Sequence, residues 1–184
     1  ADTSIRGGKV KNTFQTVGGS QLQWDSDWRP EGSDITWSNG TLFAQGLGTY
    51  LESDSNKGNS EFAYILQAGA KSVFGPVALT GGVGYTNINA KGKACYYNQS
   101  SDVPTADQLC QGNQATGVPG SLVYATDFEV YDLFAQAGFK IADLPVTIFA
   151  DYINNSAADD DEQGYMVGAQ FGSAKTKGTW QVSY

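Results

Sequence analysis

Five stretches of this sequence alternate apolar residues with small or polar ones, residue by residue. Residues 61–71 put Phe62, Tyr64 and Leu66 on one side and residues such as Gln67 and Gly69 on the other. The same alternation recurs in residues 77–86, 130–141, 146–153 and 165–172. Because successive side chains of a strand point to opposite faces, each stretch predicts a strand with one apolar face and one small or polar face.

The strands and their connections predict an up-and-down arrangement. The sequence suggests about nine strands, near residues 4–12, 33–38, 41–52, 60–72, 77–89, 125–141, 146–154, 164–172 and 179–184. Tight connections at 39–40, 74–76 and 143–145 alternate with longer ones at 53–59, 90–124 and 154–164. Short turns on one side and long loops on the other are typical of outer-membrane barrels. The predicted fold class is therefore all-β, a transmembrane antiparallel up-and-down β-barrel.

The strand count predicts an incomplete barrel. Bacterial single-chain barrels have an even number of strands, so nine suggests part of a larger barrel. Residues 1–184 are then a single barrel segment with long external loops near 90–124 and 154–164. Against this, Trp180, Val182 and Tyr184 alternate up to an aromatic last residue, as closing strands do. If Tyr184 is the true end, one strand near the start is miscounted and the barrel has eight strands.

Composition narrows the functional classes. Nineteen acidic and eleven basic residues give a net charge of -8, which argues against nucleic acid as a partner and suggests a weak cation preference. The sequence has no histidine, so Ser-His and Cys-His catalysis and histidine zinc sites are excluded within these residues. No pair of carboxylates stands out as a glycosidase site. We therefore expect no enzyme activity, no cofactor and no metal.

Several motifs resemble a family of porins from Gram-negative outer membranes. Residues 8–14 match a Gly-Lys-x-x-Asn-x-Phe strand, and residues 24–32 match a Trp-Asp-x-Asp-x-x-Pro-Glu-Gly turn. Residues 149–155, 165–169 and 177–180 are similar to later strands of the family in the same order. The matches extend over most of the chain, and the segment between Cys95 and Cys110 departs from the family as a long insert.

The resemblance implies a localisation, partners and an activity. It implies a protein of the bacterial outer membrane, in contact with outer-membrane lipid and lipopolysaccharide, which forms a homo-oligomer, a trimer by resemblance. The expected function is a water-filled channel for passive diffusion of small hydrophilic solutes and ions.

Strand parity predicts which side chains line the channel, because a charge facing lipid near the membrane centre costs about 2 to 4 kcal/mol. The predicted pore-lining residues are Glu61, Gln67, Lys71, Asp132, Gln136, Lys140, Thr147 and Asp151. Another charged group, Asp25, Asp27, Arg29 and Glu31, either folds inward as a constriction or forms an external turn.

Cys95 and Cys110 lie in a polar segment, and an even count at this spacing predicts a disulfide in an oxidising compartment. Two unpaired thiols are the alternative.

The acidic run 159–162 lacks the spaced pattern of a calcium-binding loop and favours a solvated external loop.

Two other functions remain open from the sequence. One is a small non-channel outer-membrane barrel, an adhesin or structural anchor, whose interior is filled by side chains. Small inward residues such as Gly69, Gly82 and Gly168 favour an open pore over that alternative. The other is a soluble secreted β-sandwich that binds a ligand through its loops, since a sandwich core produces the same alternation.

Overall fold

A computed structural model of the protein describes residues 1–25, 27–51, 62–93, 110, 113–118 and 122–184. In this part of the chain all regular structure is β, and no helix is long and apolar enough to cross a membrane. In chain order the strands are β1 (Asp2–Lys9), β2 (Glu31–Ser38), β3 (Leu42–Tyr50), β4 (Phe62–Phe74), β5 (Val77–Ile88), β6 (Ala115–Thr116), β7 (Val123–Tyr124), β8 (Phe128–Ile141), β9 (Leu144–Asn155), β10 (Gln163–Gly172) and β11 (Gln181–Ser183).

Nine of these strands form one antiparallel sheet in the order β1-β2-β3-β4-β5-β8-β9-β10-β11. Each strand pairs with its neighbour in the chain, so the predicted all-β, up-and-down class is confirmed. The sheet is not closed into a barrel within the described residues. At its far edge, β11 and Tyr184 cover only the second half of β10, where the Tyr184 and Ala169 backbones exchange hydrogen bonds of 2.9 and 3.0 Å.

The short turns have residues suited to tight reversals. Gly40 has a φ of 91°, and the side chain of Asn39 accepts hydrogen bonds from the backbone of Thr41 and Leu42. Between β8 and β9, Ala142 and Asp143 both have positive φ, 46° and 68°, as a two-residue hairpin turn of type I′ requires. These turns follow β2 and β8 at one end of the sheet, and the described parts of the longer connections, such as 89–93 and 156–162, lie at the other end.

The two faces of the sheet differ in burial. In β4, Ala63, Ile65 and Gln67 are buried, whereas Tyr64 and Leu66 are exposed. We call the face that carries Ile65 and Gln67 the inner face and the opposite one the outer face. The buried core lies on the inner face, because the long connection between β1 and β2 folds back across it.

The predicted first strand, 4–12, is wrong at its end. The ladder with β2 stops at Lys9, after Gly8 with a φ of 103°, and Val10 is buried. The backbone of Val10 then donates to Pro30 at 2.9 Å, which brings the two ends of the connection together. Residues 10–30 are called the inward segment below.

The small sheet of β6 and β7 lies in the connection between β5 and β8. Its buried residues are Cys110 and Leu122, packed with Ala115 and Tyr124. Gln114 donates to the backbone oxygen of Asp160 at 3.1 Å, so this small sheet contacts the connection between β9 and β10. Both connections predicted as long external loops therefore meet at the same end of the main sheet.

Candidate functional site

The inward segment packs across the inner face through two apolar clusters. Val17 is only 1 % exposed and packs with Phe134 and Phe149 of β8 and β9. The other cluster comprises Val10, Leu47 and Ile65, with Phe14, Trp24 and Trp28 packed against it. The segment therefore bridges strands on both halves of the sheet.

Polar side chains of the inner face hold this segment by its backbone. Gln67 accepts a hydrogen bond from the Gln15 backbone nitrogen at 2.8 Å and donates to the Gln15 backbone oxygen at 3.0 Å. Gln45 donates to the same Gln67 oxygen at 2.7 Å. Further along, the Gln23 amide donates to the Thr86 hydroxyl at 2.7 Å. The side chain of Gln67 thus replaces a strand partner for Gln15.

An ion pair anchors the start of the segment. Arg6 of β1 pairs with the buried carboxylate of Asp34 on β2. The same guanidinium donates to the Lys11 backbone oxygen at 3.3 Å and to the Thr13 hydroxyl at 3.1 Å. Because Arg6 serves both the sheet and the segment, it sets where the chain turns inward.

Two carboxylates meet beneath the segment. Asp132 on β8 and Asp151 on β9 line a small pocket together with Gln67. In the ladder Phe134 lies opposite Asp151, so Asp132 and Asp151 are diagonal neighbours on the same face. Gly84 lies opposite Asp132 on β5, where a Cβ would come 3.0 Å from the Asp132 carboxylate. The missing side chain at Gly84 gives the Asp132 carboxylate its room.

The carboxylates are largely removed from water. Asp151 is 8 % exposed, and the Oδ1 atoms of both aspartates are buried without a hydrogen-bond partner in the described part of the chain. The inward segment covers them with Gln15, Thr16, Ser20, Gln23 and Trp24. No sequence signal singled out this pair, because 132 and 151 lie on different strands and become neighbours only through the ladder.

Cavities lie on either side of the inward segment. Toward the long connections a cavity of about 720 Å³ is lined by residues such as Trp24, Tyr124 and Ile153. Toward the short turns a cavity of about 410 Å³ is lined by residues such as Arg6, Thr36 and Lys71. The inward segment therefore leaves less free space over the middle of the inner face than there is at either end. The part of the inner face that the segment covers is called the narrow region, or the narrow part, below.

The predicted pore-lining residues separate into two groups. Gln67, Asp132 and Asp151 come together under the inward segment. Nearer the short turns, still on the inner face by ladder position, are Lys71, Gln136, Lys140 and Thr147. Glu61 lies outside the described residues.

The charged residues predicted to form either a constriction or an external turn do not face inward. Asp25, Asp27 and Arg29 are exposed, and Glu31 lies in β2, 3.8 Å from Lys9. The residues of this stretch that turn inward are Trp24 and Trp28, which stack with their ring centroids 4.6 Å apart. An inward fold was one of two predictions for residues 24–32 alone, whereas the whole stretch 10–30 folds inward.

The predicted disulfide stays a prediction, because Cys95 lies outside the described residues. Cys110 is buried beside Leu122.

Three inward glycines, which were predicted to favour an open pore, are covered by aromatic rings. A Cβ at Gly69, Gly82 or Gly168 would come 2.4 to 2.6 Å from the ring of Phe43, Phe134 or Phe149, respectively. These glycines make room for phenylalanines, so they do not favour an open pore.

The outer face carries aliphatic residues and a band of aromatic rings. Leu66, Val83, Leu133 and Val167 are more than half exposed. Toward the long connections, ring pairs follow one another across the strands: Tyr50 with Phe62 at 5.4 Å, Tyr64 with Tyr85 at 6.2 Å and Tyr85 with Tyr131 at 5.1 Å between centroids. Tyr152 and Tyr165 lie opposite each other in the next strand pair and continue the band.

Comparison of the chain with protein-family models, with curated proteins and with solved structures finds no match in any of the three.

Proposed function

We propose that this protein is a porin of the bacterial outer membrane, a passive channel for small hydrophilic solutes and ions with a weak cation preference. In this proposal the nine strands form part of the transmembrane wall, with the outer face toward lipid and the inner face toward water. The observation that carries the proposal is the distribution of side chains between the two faces.

The outer face exposes apolar side chains that a soluble protein would bury. A β-sandwich buries the apolar face of each sheet against a second sheet, yet here Leu66, Val83 and Leu133 are exposed. Soluble monomers rarely expose a continuous apolar surface beyond a few hundred Å². A lipid bilayer is the environment in which such a face is stable, so the distribution favours a membrane barrel over the secreted sandwich.

The aromatic band supports the same orientation. Membrane barrels carry rings of aromatic residues where the apolar band meets the lipid headgroups. Tyr64, Tyr85 and Tyr131 have this position here, near the long-connection end of the outer face. The proposed external side is therefore the side of the long connections, and the short turns face the periplasm.

The central strands are long enough to cross. β4, β5, β8 and β9 have 13, 12, 14 and 12 residues. At about 3.3 Å per residue, 12 residues extend about 40 Å, and a tilt of about 40° leaves about 30 Å along the membrane normal. This exceeds the apolar band of about 25 Å found on such barrels. Because lipid tolerates no unpaired sheet edge, the proposed wall needs strands beyond these nine.

A non-channel barrel is the second candidate, and one observation favours it. The inward segment and the rings of Phe43, Phe134 and Phe149 occupy much of the inner face. A barrel filled in this way could anchor its external loops without conducting. The cavities of about 720 and 410 Å³ on the two sides of the segment favour the channel instead, because a wall closed around this face would leave them as free volume inside.

Single-channel recording separates the candidates. We expect the detergent-purified protein, added to a planar bilayer, to give ohmic steps whose reversal potential in a KCl gradient shows a weak preference for K⁺. The matched variants are Asp132→Asn, in the narrow region, and Asp159→Asn, in the exposed connection after β9. The first is expected to reduce the cation preference, and the second to leave it nearly unchanged.

The alternatives give different outcomes in the same assay. A membrane-inserted protein that never conducts would support the anchor and overturn the channel. A monomer that is soluble without detergent and gives no steps would overturn both and favour the secreted sandwich.

A further inference from the structure

The carboxylates of Asp132 and Asp151 require a positive partner that the surrounding side chains do not supply. The described residues that line their pocket are Gln15, Thr16, Ser20, Gln23, Trp24 and Gln67, none of which is basic. Two carboxylates close together and shielded from water repel each other, so a proton or a cation must accompany them. Arg6, a base of the inner face, is already paired with Asp34.

The buried oxygens favour a cation over a proton. Asp151 is more than nine-tenths buried, and both it and Asp132 direct an Oδ1 atom into protein with no hydrogen-bond donor among the described residues. A proton shared between these two oxygens joins them but neutralises only one of the two negative charges. A bound divalent cation takes both oxygens as ligands and neutralises both charges.

The other oxygens around the pocket fit a hard cation. The inward segment brings Ser20 and Gln23 to the same pocket, and both side chains carry an oxygen. Gln23 uses its amide nitrogen on Thr86, which leaves its carbonyl oxygen for a ligand. Gln67 differs, because its oxygen already accepts two hydrogen bonds, so it positions the segment without binding the ion. Carboxylate, carbonyl and hydroxyl oxygens with water are the ligands of Ca²⁺.

We propose that Asp132 and Asp151, with oxygens of Ser20 and Gln23, bind a hard divalent cation of the Ca²⁺ type. The two carboxylates come from the sheet and the other two oxygens come from the inward segment. The cation therefore fastens the segment to the sheet at the narrow part of the inner face. Binding does not depend on conduction, so this inference can fail while the proposed channel stands, and the reverse.

Terbium luminescence tests the site directly, because Tb³⁺ replaces Ca²⁺ and emits when an excited tryptophan is close. Trp24 lines the same pocket, whereas Trp180 lies exposed just before β11. We expect Tb³⁺ added to the folded protein in detergent to give saturable emission that excess Ca²⁺ removes. Trp24→Phe should reduce this emission clearly, although Trp28, stacked on Trp24, remains as a more distant donor, and Trp180→Phe should leave it nearly unchanged.

Asp151→Asn tests the ligands. It is expected to weaken Ca²⁺ binding at least about tenfold, because it removes a charged ligand, whereas Asp159→Asn in the exposed acidic connection should not change it. Circular dichroism confirms that each variant is folded, and Asp132→Asn replaces Asp151→Asn if the latter does not fold. The proposal is overturned if wild-type protein shows no saturable Ca²⁺-sensitive emission, or if Trp24→Phe and Trp180→Phe reduce it equally.

Discussion

Gly18 and Gly19 have similar backbone conformations but different surroundings. Their φ angles are 58° and 74°, in the left-handed region where side chains are strained. A Cβ at Gly18 would lie 2.3 Å from the ring of Phe149, whereas nothing lies within 4 Å of one at Gly19. Gly18 therefore sets how closely the inward segment approaches the sheet, and Gly19 only allows the chain to turn.

This difference predicts unequal effects of the same substitution. Both Gly18→Ala and Gly19→Ala cost about 1 kcal/mol for the backbone. Gly18→Ala also pushes against Phe149, so it should lower the free energy of unfolding by a further 1 to 3 kcal/mol or so, as overpacking does. Urea unfolding in detergent, followed by tryptophan fluorescence, measures the difference. Equal losses in the two variants would contradict the close packing on Phe149.

The hydrogen bonds of Gln67 predict how firmly the segment is held. Gln67→Leu keeps the approximate size but leaves the Gln15 backbone without its partner, at a cost of about 1 to 3 kcal/mol. Trypsin should then cleave after Lys11 about tenfold faster in brief digestion. Gln136→Leu, on the same face nearer the short turns, is the control. A Gln67→Leu protein cleaved no faster than this control would show that Gln67 does not hold the segment.

The sequence predicted that Gln67, Asp132 and Asp151 share one face of the sheet, but it did not predict that they lie close together. Side-chain alternation is local, so parity placed Gln67, Asp132 and Asp151 on one face correctly. Their convergence depends on how the strands align, and on a segment that returns from the β1 end of the sheet. The pairing of Arg6 with Asp34 depends in the same way on the alignment of β1 with β2. No pattern within a short stretch of sequence contains this information.

At the scale of elements, the long alternating strands were predictable and the inward segment was not. β4, β5, β8, β9 and β10 begin and end within a few residues of their predicted bounds, because each carries a period-two pattern over eight or more residues. The inward segment has no periodic pattern. It is held by scattered apolar residues such as Val17 and by polar side chains of the sheet.

The faces of β8 predict opposite tolerances to charge. Leu133 is 57 % exposed on the outer face, near the middle of the strand, and Gln136 lies on the inner face. In a lipid-facing wall, Leu133→Lys should cost about 2 to 4 kcal/mol, whereas Gln136→Lys should cost little. The folded yield after refolding into lipid vesicles measures both. In a soluble sheet, Lys at the exposed position 133 would change stability by less than about 0.5 kcal/mol, so an unaffected Leu133→Lys would contradict the membrane orientation.

At the scale of the whole molecule, the sheet has two edges. β1 pairs only with β2, and the first half of β10 pairs only with β9 among the described residues. Strand alternation predicted nine strands in the main sheet, but closure could not be predicted, because it depends on what lies beside β1 and β11. The proposed wall requires that these edges be paired in lipid.

Hydrogen exchange measures whether the edges are paired. Every second amide of β1 faces away from β2, so it exchanges rapidly if the edge is open. In membrane-inserted protein we expect these amides to exchange within about tenfold of those in β5, which is paired on both sides. Rapid exchange along β1 beside slow exchange in β5 would contradict a closed wall.

The inner face has a cavity on each side of the inward segment, and this arrangement has an electrical consequence. In a conducting pore, two wide vestibules and a narrow segment act as resistors in series, and most of the applied voltage falls across the largest resistance. The cavities of about 720 and 410 Å³ would be the vestibules, and the inward segment over Asp132 and Asp151 would carry most of the potential drop. A unit charge crossing 100 mV changes energy by about 2.3 kcal/mol, so a divalent ion seated there would feel the membrane voltage strongly.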